Sequence, residues 1–133
     1  MDRYIVDAVA FLAYLVDKLP QTSDNIFKKA EENKIKLILP SIALGETLYT
    51  IYKGKEIFGK NIPIEKIELI FEILQKEEYI ELIGMNIDIW RIFHKLILSE
   101  MHDRMIVATF EYCEASAIIT NDPEISNEFN TVW

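Results

Sequence analysis

Short apolar runs alternate along the chain with longer segments in which apolar residues recur every three or four positions. RYIV reads as a strand running straight into a helix from Ala8 to Lys18, with Pro20 beyond its stop. Thr22 or Ser23 caps a second helix, Asp24 to Asn33, with Ile26, Phe27 and Ala30 on its inner face. KLIL (Lys36 to Leu39) reads as a buried strand, and Ser41 caps a helix to about Lys53, where Gly54 and Gly59 break the chain. Pro63 suits the first turn of a helix from Ile64 to Lys76 with Ile67, Ile70, Phe71 and Leu74 as its stripe. YIELIG is a third strand. Asn86 or Asp88 opens a helix carrying Trp90, Phe93, Leu96 and Ile97, and Asp103 opens another carrying Ile106, Val107, Phe110 and Cys113. AIIT (Ala117 to Thr120) is a fourth strand and the terminal TVW a candidate fifth.

Continuous apolar strands alternating with helices predict an α/β fold whose mainly parallel sheet is covered on both faces. A length of 133 residues suits one domain spanning the chain. In such sheets ligands bind outside the carboxyl ends of the strands.

Composition then narrows the chemistry. The net charge of −8 makes the protein a poor passive binder of polyanions. The single cysteine, Cys113, excludes an internal disulfide and fits a reducing cytoplasm. The apolar run AVAFLAYLV (Ala8 to Val16) follows Asp2 and Asp7 and precedes Asp17 and Lys18, so it reads as an internal helix. It is far shorter than the roughly 18 residues a membrane span needs.

Four acids stand out against this frame. Asp7 follows the first strand, and Asp122 follows the fourth by two residues past Thr120. Asp103 shares a helix face with Ile106, Val107 and Phe110, and Glu46 lies one turn into the helix after the second strand. Each has a plain structural reading: Asp7 and Asp103 as helix caps, Asp122 before Pro123 as a turn starter, Glu46 as a solvated position. If they converge, their mutual repulsion raises their pKa values, and a hard divalent cation such as Mg²⁺ or Mn²⁺ relieves it. Such an ion also supplies positive charge where an acidic protein must accept a phosphodiester.

IVDA with Asp7, LGET with Glu46, HDRMIVAT with Asp103 and IITND with Asp122 together resemble the four acidic motifs of the PIN-domain nucleases. The resemblance covers essentially the whole chain and is nearest to the VapC-type ribonuclease toxins of bacteria and archaea. It implies a three-layer α/β/α fold with about five strands and a cytoplasmic, Mg²⁺- or Mn²⁺-dependent endoribonuclease acting on RNA. It further implies a homodimer and, for the toxins, a small antitoxin partner that blocks the site. Asp7, Glu46, Asp103 and Asp122 would be the catalytic, metal-binding acids. Thr120 matches a hydroxyl residue that supports the last acid, with Asn121 and Arg104 as candidate supporting or phosphate-contacting residues beside it. Family members usually carry a hydroxyl or amide residue just after the first aspartate, where this chain has Ala8 and Val9.

The remaining candidates are weaker. Lys28, Lys29, Lys34, Lys36, Lys53, Lys55 and Lys60 suit either RNA phosphates or ordinary solvated positions near Glu31, Glu32 and Glu56. Tyr49, Tyr52 and Phe58 suit base stacking or core packing. Ile57, Phe58 and Ile62 suit either a subunit or antitoxin contact or a loop folded on its own core. His94 reads as structural; His102 adjoins Asp103; neither has zinc-type spacing with Cys113. A phosphate-accepting receiver domain would want a second acid beside Asp7, where Ala8 stands, and a haloacid-type phosphatase one at Val9. No glycine-rich phosphate loop is present. A non-catalytic PIN-fold module that binds RNA or protein is the serious alternative.

Overall fold

Strand β1 (Arg3–Val6) occupies the centre of a five-stranded, wholly parallel sheet of order β3-β2-β1-β4-β5 in a computed structural model that describes residues 1–98 and 100–133. Its partners are β2 (Lys36–Pro40), in register Ile5 with Ile38, and β4 (Ala117–Ile119), in register Val6 with Ile119. β3 (Ile80–Ile83) and β5 (Thr131–Val132) close the two edges. Ile5, Val6, Leu37, Ile38, Leu39, Ile118 and Ile119 are all buried, as strands covered on both faces must be. The edge strand β3 instead exposes Glu81 and Leu82. The predicted three-layer α/β/α arrangement with a parallel sheet of five strands is therefore the observed one.

The connections are helical: α1 (Ala8–Leu15) and α2 (Gln21–Glu31), then α3 (Ser41–Tyr52), then a 3-10 turn (Ile64–Lys66) leading into α4 (Ile67–Lys76). After β3 come α5 (Ile87–Lys95) and α6 (Met101–Tyr112), and after β4 the short α7 (Pro123–Ser126). Since β2 and β3 lie to one side of β1 and β4 and β5 to the other, strand order reverses at the β1–β4 boundary, where a crevice opens at the carboxyl ends.

Several boundaries differ from the sequence reading for identifiable reasons. Helix α1 stops at Leu15, because Asp17 takes a left-handed conformation (φ 59°) and Lys18 N–H closes back on Ala13 O at 2.8 Å. Helices α2 and α3 start directly after Pro20 and Pro40 with no side-chain cap, so Ser23 and Ser41 lie inside them. Ser23 is buried and donates to Pro20 O. Pro63 stands just outside its helix. Gly54 and Gly59 do break the chain, at φ +66° and +78°. Between them Ile57 is buried in a tight turn closed by reciprocal bonds with Lys60, while Phe58 faces outward.

The apolar stripe of α5 continues in sequence two residues past the end of the helix at Lys95. Leu96 leaves helical geometry (ψ 153°), and Ile97 beyond it is 95% exposed; Ile89 is the residue α5 buries, with Trp90 and His94 outside. Cys113 is buried at the end of α6, and burial pushes its thiol pKa up. No helix among the described residues is long and apolar enough to cross a membrane.

Candidate metal centre

The β1–β4 crevice forms a cleft of about 320 Å³ lined by Asp7, Glu46, Asp103, Asn121 and Asp122, with Val9, Ile106 and Ile125 as its apolar walls. Four carboxylates from four segments thus share one hollow. Each is delivered by a strand end or a helix.

Asp7 is the first residue past β1 and caps α1, its Oδ1 accepting from Ala10 N–H at 2.9 Å. It is only 9% exposed, and burial pushes its pKa up from 3.8 to about 6. Hydrogen bonds from the Thr120 hydroxyl and Ala10 N–H oppose that rise, whereas the negative charges of Glu46 and Asp122 add to it. Thr120 is itself buried, and its oxygen accepts from Asp122 N–H at 3.0 Å. The buried hydroxyl therefore faces the first acid while bracing the loop that carries the last.

Asp122 caps α7, accepting from Glu124 N–H at 2.9 Å, with Pro123 at the first helical position. Its carboxyl meets that of Asp103 across the cleft. Burial, then the charge of Asp122 and a hydrogen bond with it, push the Asp103 pKa up to about 7. Asp103 does not open its helix. Glu100 is the cap, reaching Asp103 N–H at 2.7 Å, and α6 begins at Met101. The longer Glu100 side chain takes over the capping duty and leaves the Asp103 carboxyl to face Asp122.

Glu46 is half-buried and projects from α3, its Oε2 lying 3.2 Å from His102 Nδ1. His102 also approaches Glu100, at 3.9 Å. Sequence reasoning left His102 aside; its one signal was adjacency to Asp103, which cannot reveal a partner on another helix. Asn121 lines the cleft from the exposed loop after β4. Arg104 does not reach the cleft: its guanidinium donates to the carbonyls of Leu98 and Leu96 and lies over the Phe93 ring. It stitches the α5–α6 connection together and is committed there.

The donor set fits a hard divalent ion, being made of carboxylate and amide oxygens with no thiol. Among the described residues no three acidic, histidine or cysteine side chains are already close enough to hold one ion. The caps explain part of this spacing, because Asp7 and Asp122 each commit an oxygen to their own helix.

A family model described as the PIN domain matches residues 4–127. The chain belongs to the PIN domain family. PIN domains are generally nucleases. No curated protein matches this one in sequence. Among solved structures, it is similar to a chain in the crystal structure of VapBC2 from Rickettsia felis bound to a DNA fragment from their promoter. The match has a TM-score of 0.68 and 16% identity over 98% of this chain and 97% of that one. At that identity the likeness speaks for the fold, and it extends over nearly the whole of this PIN domain.

Proposed function

We propose that this PIN domain is a divalent-metal-dependent endoribonuclease in which Asp7, Glu46, Asp103 and Asp122 hold Mg²⁺ or Mn²⁺. The observation that carries the reading is the convergence of four carboxylates on one cleft, two of them with pKa values raised toward neutrality. A fold gains nothing by gathering uncompensated anions; a cation and a phosphate chain give the arrangement its purpose. The ion, when bound, supplies positive charge to the scissile phosphate and acidity to the attacking water.

The chain's own groups do the rest. Ala10 N–H fixes the Asp7 carboxylate, His102 fixes Glu46, and Asp103 faces Asp122, where the two carboxyls would bind a cation together. Val9, Ile106 and Ile125 limit water on the cleft's inner side. Val9 is apolar where the family usually offers a polar neighbour, which removes one hydrogen-bonding partner from the site. The fold shared with VapBC2 supports a role as the toxin of a toxin–antitoxin pair; a cytoplasmic homodimer blocked by a small antitoxin is the form that the family resemblance implies. The spacing of the acids favours one alternative, a PIN-fold module that binds RNA or protein without cutting.

Cleavage of an RNA panel with Mn²⁺ and with EDTA separates the two. Wild-type protein cleaves only with the metal, and Mn²⁺ raises its melting temperature. Asp7→Asn and Asp103→Asn lose both effects while keeping the wild-type circular dichroism. Unaltered cleavage by both variants would sink the assignment, and a metal-insensitive, inactive wild type would establish the binding module.

A further inference from the structure

A second hollow, of about 480 Å³, adjoins the acid cleft, and Glu46 forms part of both walls. Ile42, Gly45, Tyr49, Lys55 and His102 line it. Tyr49 is 57% exposed, and the ammonium groups of Lys53 and Lys55 lie 5.4 and 5.9 Å from its ring centroid. Neither lysine is salt-bridged among the described residues, although the protein carries a net charge of −8. Two cations beside one open aromatic ring are an unusual arrangement on so acidic a surface.

Gly45 points the same way. It sits inside α3, where glycine is among the least favourable residues, yet its φ is not left-handed and nothing lies within 4 Å of where a Cβ would be. Neither packing nor backbone geometry calls for glycine. Its effect is to leave the floor of the hollow open one helical turn before Tyr49.

We propose that this hollow is a nucleotide subsite for single-stranded RNA next to the scissile phosphate: a base stacks on Tyr49 and its phosphate meets Lys53 and Lys55. The assignment rests on the RNA-cleaving reading and names the part of the substrate that this surface receives. Tyr52 and Phe58 are also exposed, but Tyr49 is the aromatic that lines a hollow joined to the acids. A flat ring flanked by cations is complementary to a base and its phosphate, more than to a neutral peptide segment.

The test is anisotropy of a fluorescent single-stranded oligoribonucleotide in EDTA, followed by cleavage kinetics on the same RNA with Mn²⁺. Tyr49→Ala weakens binding about 5- to 150-fold, the range expected for one lost stack, and Tyr49→Phe binds as wild type. Gly45→Leu, which fills the hollow and changes no charge, gives a comparable loss with a melting temperature at or above that of wild type, since leucine suits a helix interior better than glycine. Lys53→Gln with Lys55→Gln lowers the salt slope of binding by about 0.7 for each phosphate contact. In cleavage these losses appear in KM and leave kcat in place. Wild-type affinity for both Tyr49→Ala and Gly45→Leu would overturn the subsite and assign this face to a protein partner. The nuclease reading fails separately, by unaltered cleavage in both Asp7→Asn and Asp103→Asn; the EDTA binding series then still judges the hollow on its own.

Discussion

Asp7 and Asn86 cap their helices with the same bond: each side-chain oxygen accepts from the backbone N–H three residues on, at 2.9 Å. Asn86 does so from an exposed position with a neutral amide. Asp7 does so from the end of the central strand, nearly out of water, with a group that burial pushes to a pKa of about 6. Capping thus accounts for Asn86 completely and for Asp7 only in part, since an asparagine would serve as well there without the cost of desolvating a charge. Helices α2 and α3 go further and begin with no side-chain cap at all. The carboxylate at position 7 is an expense the fold does not require, and its neighbours across the cleft are more carboxylates.

The strongest way to break this comparison is to make the two caps alike. Asp7 has its pKa near 6 in the folded protein against an ordinary 3.8, so the unfolded chain ionises first as pH rises. Below about pH 4 the side chain is neutral in both states and costs nothing. Between pH 4 and 6 the folded state loses ground, and above pH 6 the full penalty, on the order of 3 kcal/mol, is in place. Metal-free Asp7→Asn is therefore more stable than wild type at pH 7 by about that amount, with the gain vanishing toward pH 4. Asn86→Asp, on the exposed cap, shifts stability by less than about 0.5 kcal/mol at any pH. Urea melts in EDTA across this range measure both, and equal responses at the two caps would remove the case for a strained site.

Thr120→Val sharpens the contrast by attacking Asp7 through its support. The variant leaves Asp122 N–H without its acceptor and Asp7 without a hydroxyl donor. Destabilisation of about 1–3 kcal/mol follows from the buried groups left unpaired. Because that hydroxyl lowers the Asp7 pKa, its loss moves the titration upward, which carboxyl NMR reads directly. A titration that stays in place would mean the hydroxyl serves Asp122 alone.

Legibility followed the same division. The central strands announced themselves because burial on both faces forces continuous apolar runs, and RYIV, KLIL and AII stand close to where they were read. The first and last acids were placed at the rim by strand ends alone. What stayed hidden lies in pairings between distant segments. Glu100 as the cap of α6, His102 on Glu46, and Arg104 turned onto the Leu96 and Leu98 carbonyls all depend on how α5 and α6 pack. The end of α5 is not legible in the sequence because Leu96 and Ile97 continue its apolar period past the point where the backbone leaves the helix.

Among the deletions, the smallest effect belongs to Asn86→Ala, and it defines what a cap is worth when nothing else is asked of it. The substitution frees Ile89 N–H, yet the helix end is exposed enough for water to replace much of the bond. The expected cost is about 1 kcal/mol, independent of pH and of Mg²⁺ or Mn²⁺. Ile89 itself is fully buried, so the loss frays the first turn of α5 without removing the apolar anchor that holds the helix down. Hydrogen exchange at the first amides of α5 would accelerate while those of β1 and β4 hold. A cost that varied with pH or with metal would show that this end of the sheet senses the cleft, and Asn86 would then cease to be the neutral reference against which Asp7 stands out.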